Sequence, residues 1–407
     1  MPCILLAIIA GSGSVWVVGM SDETQGMVAA PDVVMVGAFP PPVHGMAAVN
    51  AIVRQQLIAS GAVLSSFDIA AKGLHRGLWS RLGRLPRALR GLFSLMHMRG
   101  LGERALYMSV SGGLGQVYEL LFVLLARSKA MRVFLHHHSF AYLDRPHRVT
   151  TWLVAAAGKH ATHIALSPGM AERLRSSYPR VGSVVAISNA ALLLSVFAEP
   201  APVKVRLRML GFLSNIAVEK GVLEFLDVCA AVQERGLPIN ARLAGPFQDA
   251  KVEQVVRQRL ADLPHVEYLG PVYGEHKADF YAGTDVLLFP TRYVNEAEPL
   301  TVHEAMSAGV PVIAYGRGAI PEILTPACGE VVSIGDDFKS AAMAQIVAWH
   351  EAPQMFQAAS LAASARFAML RAENMKYWEA VKAQMLKGNS VALIVDAQGL
   401  PSSDQSD

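Results

Sequence analysis

The sequence predicts an α/β protein with two Rossmann-like, doubly wound domains that face each other across a cleft. From Val33 onward, short β-rich apolar runs alternate with longer amphipathic stretches, the pattern of βαβ units and parallel sheets. The alternation stops at the proline-containing segment Glu199–Pro202 and then restarts. A length of 407 residues and a hydrophobic content of 52% are sufficient for two ordinary cores and exclude a disordered chain.

The first domain is predicted over residues 32–200. Two amphipathic stretches, Met46–Ser60 and Gln116–Ala126, are predicted helices. The apolar, β-rich runs predicted as strands are Val33–Gly37, Ala62–Phe67, Ala105–Val110, Arg132–His137, His163–Leu166 and Val184–Ile187.

Residues 1–31 are predicted to be an extension or linker. The apolar run Cys3–Met20 reaches only the lower length limit of a membrane-spanning helix and is interrupted by glycine and serine at positions 11–14. No Lys or Arg occurs before Arg54, so the run lacks the basic start of a signal peptide. An unstructured extension and a weakly membrane-contacting segment both stay open.

The second domain is predicted over residues 201–362. Its predicted helices are Glu219–Arg235, Val252–Leu263 and Leu300–Ser307. Its predicted strands are Leu207–Leu213, Ala241–Ala244, Val266–Leu269, Asp285–Pro290 and Val310–Ala314. A C-terminal helix over residues 363–387 can cross back to the first domain, and residues 388–407 form a polar tail.

The charge distribution singles out one basic tract. The formal net charge of +3 is too small to indicate a nucleic-acid partner. Eight basic residues and one acidic residue give the tract Lys72–Arg104 a charge of +7, which leaves −4 for the rest of the chain. Arginine alternates there with leucine and phenylalanine, as at an anionic membrane surface or on a solvated helix face. The three widely spaced cysteines form no disulfide framework, which favours a cytoplasmic location.

The most informative motif is NEAEPLTVHEAMSAGVPVIA, residues 295–314, in which Glu296 precedes Glu304 by an E-x7-E spacing. With this motif the sequence resembles the retaining GT-B glycosyltransferases of the family 4 type (glycosyl transferases group 1). The resemblance implies that Glu296 contacts the donor sugar and Glu304 the ribose of the nucleotide, with Leu300 and Thr301 in the same donor-binding set. An ionised carboxylate suits both tasks because it accepts two hydroxyl hydrogen bonds.

The segment GFLSNIAVEKG, residues 211–221, resembles the part of that family that binds the donor diphosphate. Lys220, near a helix start, is the predicted phosphate ligand, and Asn215 is predicted to assist it. The family often has an arginine where this chain has Phe212. The alternative is that Lys220 is a surface lysine.

The segment FPPPVHGMAAVN, residues 39–50, follows the first predicted strand. The family has a glycine-rich loop here that approaches the donor phosphate, and this chain keeps Gly45 while His44 replaces a second glycine. A proline-bracketed turn before an ordinary helix is the alternative.

The run HHHSF, residues 136–140, ends a predicted strand. Strand alternation puts His136 and His138 on one face, and the resemblance implies that a histidine here faces the reacting sugar, with His138 preferred and His136 second. A metal site that adds Asp144 and His147 is the less favoured alternative.

The sequence and the resemblance together predict a cytoplasmic, membrane-peripheral, retaining glycosyltransferase. It would transfer a sugar from a nucleotide-diphosphate donor to a lipid-linked or polysaccharide-precursor acceptor, with no metal or other cofactor. A nucleotide-sugar epimerase and a non-catalytic sugar-binding protein are the alternatives. A dinucleotide-dependent oxidoreductase is disfavoured because no G-x-G-x-x-G motif is complete.

Overall fold

A computed structural model describes residues 32–70, 84–193 and 203–387. Four of the segments discussed above lie outside the described residues: the extension 1–31, positions 71–83 of the basic tract, the Glu199–Pro202 break and the tail 388–407. Among the helices of the described ranges, none has both the length and the apolar character that a bilayer crossing requires.

The first domain is a parallel six-stranded sheet in the order β2-β1-β3-β4-β5-β6. The strands are β1 (Val33–Gly37), β2 (Leu64–Asp68), β3 (Ala105–Val110), β4 (Arg132–His137), β5 (Thr162–Ala165) and β6 (Ser183–Ala186). The helices are α1 (Gly45–Ala59), α2 (Leu85–His97), α3 (Gln116–Ser128), α4 (Ala141–Asp144), α5 (Arg148–Ala157) and α6 (Pro168–Ser177).

The second domain is another parallel six-stranded sheet, in the order β12-β11-β10-β7-β8-β9. The strands are β7 (Met209–Leu213), β8 (Asn240–Ala244), β9 (Val266–Tyr268), β10 (Val286–Phe289), β11 (Val312–Tyr315) and β12 (Gly329–Val332). The helices are α7 (Val222–Glu234), α8 (Ala250–Ala261), α9 (His276–Ala282), α10 (Leu300–Ser307), α11 (Ile320–Ile323), α12 (Phe338–Glu351) and α13 (Pro353–Lys387).

Both faces of the first sheet are covered, as a doubly wound fold requires. Alternate residues of β1 enter different cores: Val33 and Met35 pack with α1, whereas Val34 and Val36 pack with α2, α3, α5 and α6. This burial on both faces explains why β1 is a continuous apolar run. In the second sheet, Leu287 and Phe289 of β10 pack with α10, whereas Val286 and Leu288 pack with α7 and α12. The prediction of two doubly wound α/β domains is therefore confirmed.

The final helix connects the two domains. Near its start, the Ser360 hydroxyl donates to the carbonyl of Gly309 over 2.6 Å in the second domain. Farther along, the Asn374 side chain accepts from the Ser188 N–H over 2.8 Å in the first domain. The segment predicted over residues 363–387 is thus the distal part of a helix that begins at Pro353.

Candidate functional site

The predicted site residues come together because both sheets are parallel. Gly45 begins the helix after β1, His138 directly follows β4, Lys220 lies in a short turn after β7, and Glu296 lies between β10 and α10. The carboxyl ends of parallel strands meet at one sheet edge, where ligands of doubly wound domains bind. The facing edges therefore form the candidate site.

Lys220 and Glu296 form a largely buried ion pair. The Lys220 Nζ lies 2.6 Å from the Glu296 Oε2, which also accepts from the Thr291 hydroxyl over 3.2 Å. The same Nζ lies 4.4 Å from the ring centroid of Tyr293. The lysine predicted for the diphosphate and the carboxylate predicted for the sugar are therefore direct partners in this structure.

Gly221 fixes the turn that presents Lys220. Its φ of 86° is left-handed, and a Cβ there would lie 2.1 Å from the carbonyl oxygen of Pro290. The turn can therefore pack against the end of β10 only with glycine at this position. This packing holds Lys220 beside the loop that carries Glu296.

Glu304 has two partners that sequence reasoning missed. The Lys277 Nζ lies 2.7 and 3.0 Å from its two carboxylate oxygens, and the Tyr281 hydroxyl donates to Oε2 over 3.0 Å. Lys277 and Tyr281 are four residues apart on α9, so they share one helix face; this spacing is the only signal the sequence offers. Burial and the adjacent Glu304 carboxylate hold the pKa of Tyr281 well above its usual range.

Leu300 and Thr301 form the first turn of α10. The helix begins after Pro299 without a capping side chain, so the N–H groups of this turn have no side-chain acceptor. Asn215 is half-buried after β7, and its side chain makes no hydrogen bond with the described residues.

The three histidines alternate in direction as predicted. The Tyr107 hydroxyl lies 2.7 Å from the Nδ1 of His136, whose ring centroid is 4.2 Å from that of His138. On the opposite face, His137 lies 2.8 Å from the Tyr142 hydroxyl. Burial, with a smaller contribution from His44, lowers the pKa of His138 to about 3. His138 is therefore neutral near pH 7, and its Nε2 is a buried atom without a hydrogen-bond partner.

His44 caps α1, since its Nδ1 accepts from the Ala47 N–H over 3.4 Å. Burial is the main cause of its lowered pKa, to which the positive charges of Arg84 and Lys220 also contribute. A Cβ on Gly45 would meet no atom within 4 Å, so the space beside the backbone at the start of α1 is open.

The metal alternative lacks an assembled ligand set in the described residues. Asp144 instead forms ion pairs with Arg173 at 3.3 Å and Arg317 at 2.5 Å, and the His147 ring is exposed. Within the same residues, no group of three His, Cys, Asp or Glu side chains could hold an ion.

Glu298, which sequence reasoning missed, connects the two domains. Its carboxylate accepts from the Ser188 hydroxyl over 2.6 Å and from the Asn189 N–H over 2.5 Å, both in the first domain. It also lies 3.0 Å from the Nε2 of His303 on α10, and both side chains are almost fully buried. The feature of the sequence that could have indicated Glu298 is its position as a third carboxylate between Glu296 and Glu304. We name these four residues, Glu298, Ser188, Asn189 and His303, the Glu298 clasp.

Three further polar contacts bridge the cleft. Asn295 accepts from the Ser139 hydroxyl over 2.8 Å, and Arg317 pairs with Asp144. The Glu322 carboxylate accepts from the Ser167 hydroxyl over 2.6 Å at the start of α6. Together with the Glu298 clasp, these contacts hold the two sheet edges together in this structure.

A protein-family model described as "Glycosyl transferases group 1" matches residues 208–350. The lipopolysaccharide core biosynthesis mannosyltransferase LpsB of Rhizobium meliloti is 28% identical over 164 residues, which are 38% of this chain and 44% of that protein. The sulfoquinovosyl transferase SQD2 of Arabidopsis thaliana is 33% identical over 104 residues, 26% of this chain and 19% of that protein. The matches thus span less than half the length of these curated relatives, and the matched family and relatives support a glycosyltransferase.

Solved structures share the fold over most of this chain. The Anabaena protein HepE, solved with UDP, aligns with a TM-score of 0.63 at 14% identity, covering 86% of this chain and 99% of HepE. The sucrose-phosphate synthase of Thermosynechococcus elongatus aligns with a TM-score of 0.64 at 16% identity, covering 87% and 97% of the two chains. At these identities the likeness establishes the two-domain fold.

Proposed function

We propose that this protein is a retaining glycosyltransferase of the family 4 type that uses a nucleotide-diphosphate sugar. The observation that carries the proposal is the Lys220–Glu296 pair at the cleft edge of the domain that matches the family model. A cation and a carboxylate in contact at that edge suit a donor in which a diphosphate is joined to a sugar.

Glu304 is the proposed ribose ligand. Lys277 and Tyr281 fix its carboxylate in one orientation. Little conformational entropy is therefore lost when the carboxylate accepts hydrogen bonds from the ribose hydroxyls. HepE was solved with UDP, which makes a uridine nucleotide the first donor to test.

Lys220 and Glu296 act in the transfer step by exchanging partners. When the donor enters, its diphosphate replaces Glu296 as the acceptor for Lys220, and the freed carboxylate accepts hydrogen bonds from the sugar hydroxyls. Negative charge grows on the departing diphosphate, so the contact with Lys220 strengthens in the transition state. Asn215 and the open backbone at Gly45 are proposed to assist at the phosphates.

His138 is the proposed contact to the reacting sugar, with His136 holding its ring in place. Its neutral imidazole has an unpaired Nε2 that can bond a sugar hydroxyl. We propose that the diphosphate departs and the acceptor attacks on the same face of the sugar. The step uses neither a covalent nucleophile nor a metal ion. Activity should therefore persist after exhaustive chelation with EDTA; restoration of lost activity by Mg²⁺ or Mn²⁺ would contradict this.

The proposed acceptor is a lipid-linked or polysaccharide-precursor saccharide, met at the cytoplasmic side of a membrane. LpsB, by its name, acts in the synthesis of the lipopolysaccharide core. That core is a saccharide of this kind. Neither nucleic acid nor a bound cofactor is part of this proposal.

Nucleotide-sugar turnover tests the proposed activity. The purified protein is incubated with a panel of nucleotide sugars, and released nucleotide is measured with and without membrane extract. Acceptor-dependent release is expected, and NMR of the product should show a retained anomeric configuration. An epimerase would convert the donor without acceptor and release no nucleotide, and a binding protein would leave the donor unchanged. The Glu172→Gln variant, altered at an exposed residue of α6, is the matched control for carboxylate variants.

A further inference from the structure

Three helices of the first domain expose apolar side chains on the outer side of one sheet face. They are α2, α3 and α5, and α3 contacts both of the others. Phe93 on α2 is 61% exposed and Trp152 on α5 is 58% exposed. The other exposed apolar residues are Leu85, Leu89 and Met96 on α2 and Val117, Leu121 and Leu124 on α3. We call the surface that these helices form the three-helix face.

A groove runs between α2 and α3 on this face. It has a volume of about 510 Å³ and is lined by Leu89, Arg90, Leu92, Phe93, Met96 and Leu125. The lining is almost entirely hydrocarbon, with one guanidinium at its edge. An exposed apolar groove of this kind marks a contact surface, because isolated folded domains rarely leave such a patch to water.

The exposed charged residues that belong to the three helices are all basic. The basic residues of its helices are Arg87, Arg90, Arg127 and Arg148. The one acidic residue among the residues of these helices is Glu119, which is buried. Arg87 is paired with the part-exposed Asp68 carboxylate at 3.4 Å, so the exposed arginines that the face presents beside its apolar side chains are Arg90, Arg127 and Arg148.

We propose that the three-helix face docks on an anionic phospholipid bilayer. Arginines then meet lipid phosphates while Leu89, Phe93 and their neighbours enter the interfacial region. A protein partner with ordinary mixed charge would leave positive charge unmatched across three helices, whereas an anionic lipid surface matches all of it. The surface extends beyond the basic tract of the sequence, since α3 and α5 lie outside that tract.

The three-helix face lies next to the cleft. Helix α3 begins after the turn at residues 111–115, where a Cβ on Gly112 would lie 2.0 Å from the Asn295 side chain of the second domain. A bilayer docked on α3 thus contacts a helix whose N-terminal end adjoins the cleft. The inference deepens the proposed function by giving the place where a lipid-borne acceptor is met, but membrane binding does not depend on transfer chemistry.

Vesicle sedimentation of the full chain tests the docking surface. We expect binding to vesicles that contain phosphatidylglycerol, little binding to phosphatidylcholine alone, and weakening as salt rises. The double variant Arg90→Glu, Arg127→Glu should bind anionic vesicles at least about tenfold more weakly, since each basic residue near an anionic surface contributes about fivefold. Phe93→Ser should also weaken binding, through loss of the apolar contact.

The control variant is Val255→Glu, which changes an exposed apolar residue of α8 on the other domain. It should bind vesicles like the wild type, and all variants should keep the wild-type circular dichroism spectrum and nucleotide affinity. Wild-type protein that does not sediment with anionic vesicles at low salt overturns the proposal. Self-association that Phe93→Ser abolishes, without vesicle binding, would overturn it in favour of an interface between copies. Because nucleotide affinity is measured separately, failure of docking is distinguishable from failure of the proposed activity.

Discussion

Replacing Glu298 by alanine should destabilise the protein severely, because three contacts of a buried carboxylate are lost together. The substitution removes the acceptor of the Ser188 hydroxyl and the Asn189 N–H and the partner of His303. Hydrogen bonds to a carboxylate contribute about 1.5 to 3 kcal/mol each, and each buried polar group left without a partner costs about 1 to 3 kcal/mol. Since the groups form one network, these values do not add, and we expect a loss of about 3 to 5 kcal/mol.

Denaturant unfolding followed by circular dichroism and by tryptophan fluorescence measures this loss. Glu298→Gln keeps the shape and part of the hydrogen bonding, so it should lose about 1 to 2 kcal/mol. The matched control is Glu267→Ala at an exposed residue of β9, which should change stability by less than about 0.5 kcal/mol. If the free energy of unfolding of Glu298→Ala lies within about 0.5 kcal/mol of the wild-type value, the Glu298 clasp does not stabilise the contact between the two domains.

Three other predictions concern separate groups. Lys220→Ala should lower the turnover rate by about two to three decades, the equivalent of about 2 to 4 kcal/mol, and a loss of less than about fivefold in steady-state kinetics would mark it as a surface lysine. Lys277→Met should weaken nucleotide binding about tenfold by titration calorimetry, because it removes the cation that orients Glu304; unchanged affinity would remove that positioning role. Burial raises the pKa of Glu119 to about 7, so its ionisation destabilises the fold increasingly as pH rises from about 4.5 to 7, by up to about 3 kcal/mol. Glu119→Gln should then gain stability over wild type at pH 8 but not at pH 5, and an equal difference at both pH values in denaturant unfolding would refute this.

The sequence predicted those features of the fold that depend on local pattern. The strand Val33–Gly37 and the helix Leu300–Ser307 have the bounds predicted for them, because their apolar runs end at clear turn or proline signals. Strand alternation also placed His136 and His138 together. By contrast, β12 escaped prediction since its four residues include a glutamate and too few apolar positions to show alternation.

Only those residues of the candidate site that belong to a recognisable motif could be predicted from the sequence. Glu296, Glu304 and Lys220 were found through a motif, but their partners come from chain folding. Lys277 contacts Glu304, which lies 27 positions later in the sequence. No local sequence pattern indicates a contact between residues so far apart. Glu298 precedes a proline in the sequence, and only its contacts with the first domain show that it is buried.

The most direct test of the proposed donor site compares two glutamate variants in two assays, nucleotide-sugar turnover and calorimetric affinity for the nucleoside diphosphate. We predict that Glu296→Gln lowers turnover about a hundredfold while the affinity stays within about twofold of wild type, because its carboxylate acts on the sugar. Glu304→Ala should instead weaken nucleotide affinity by about tenfold or more, since it removes the charged acceptor for the ribose hydroxyls. Unchanged nucleotide affinity in Glu304→Ala, or undiminished turnover in Glu296→Gln, would contradict the donor site described above.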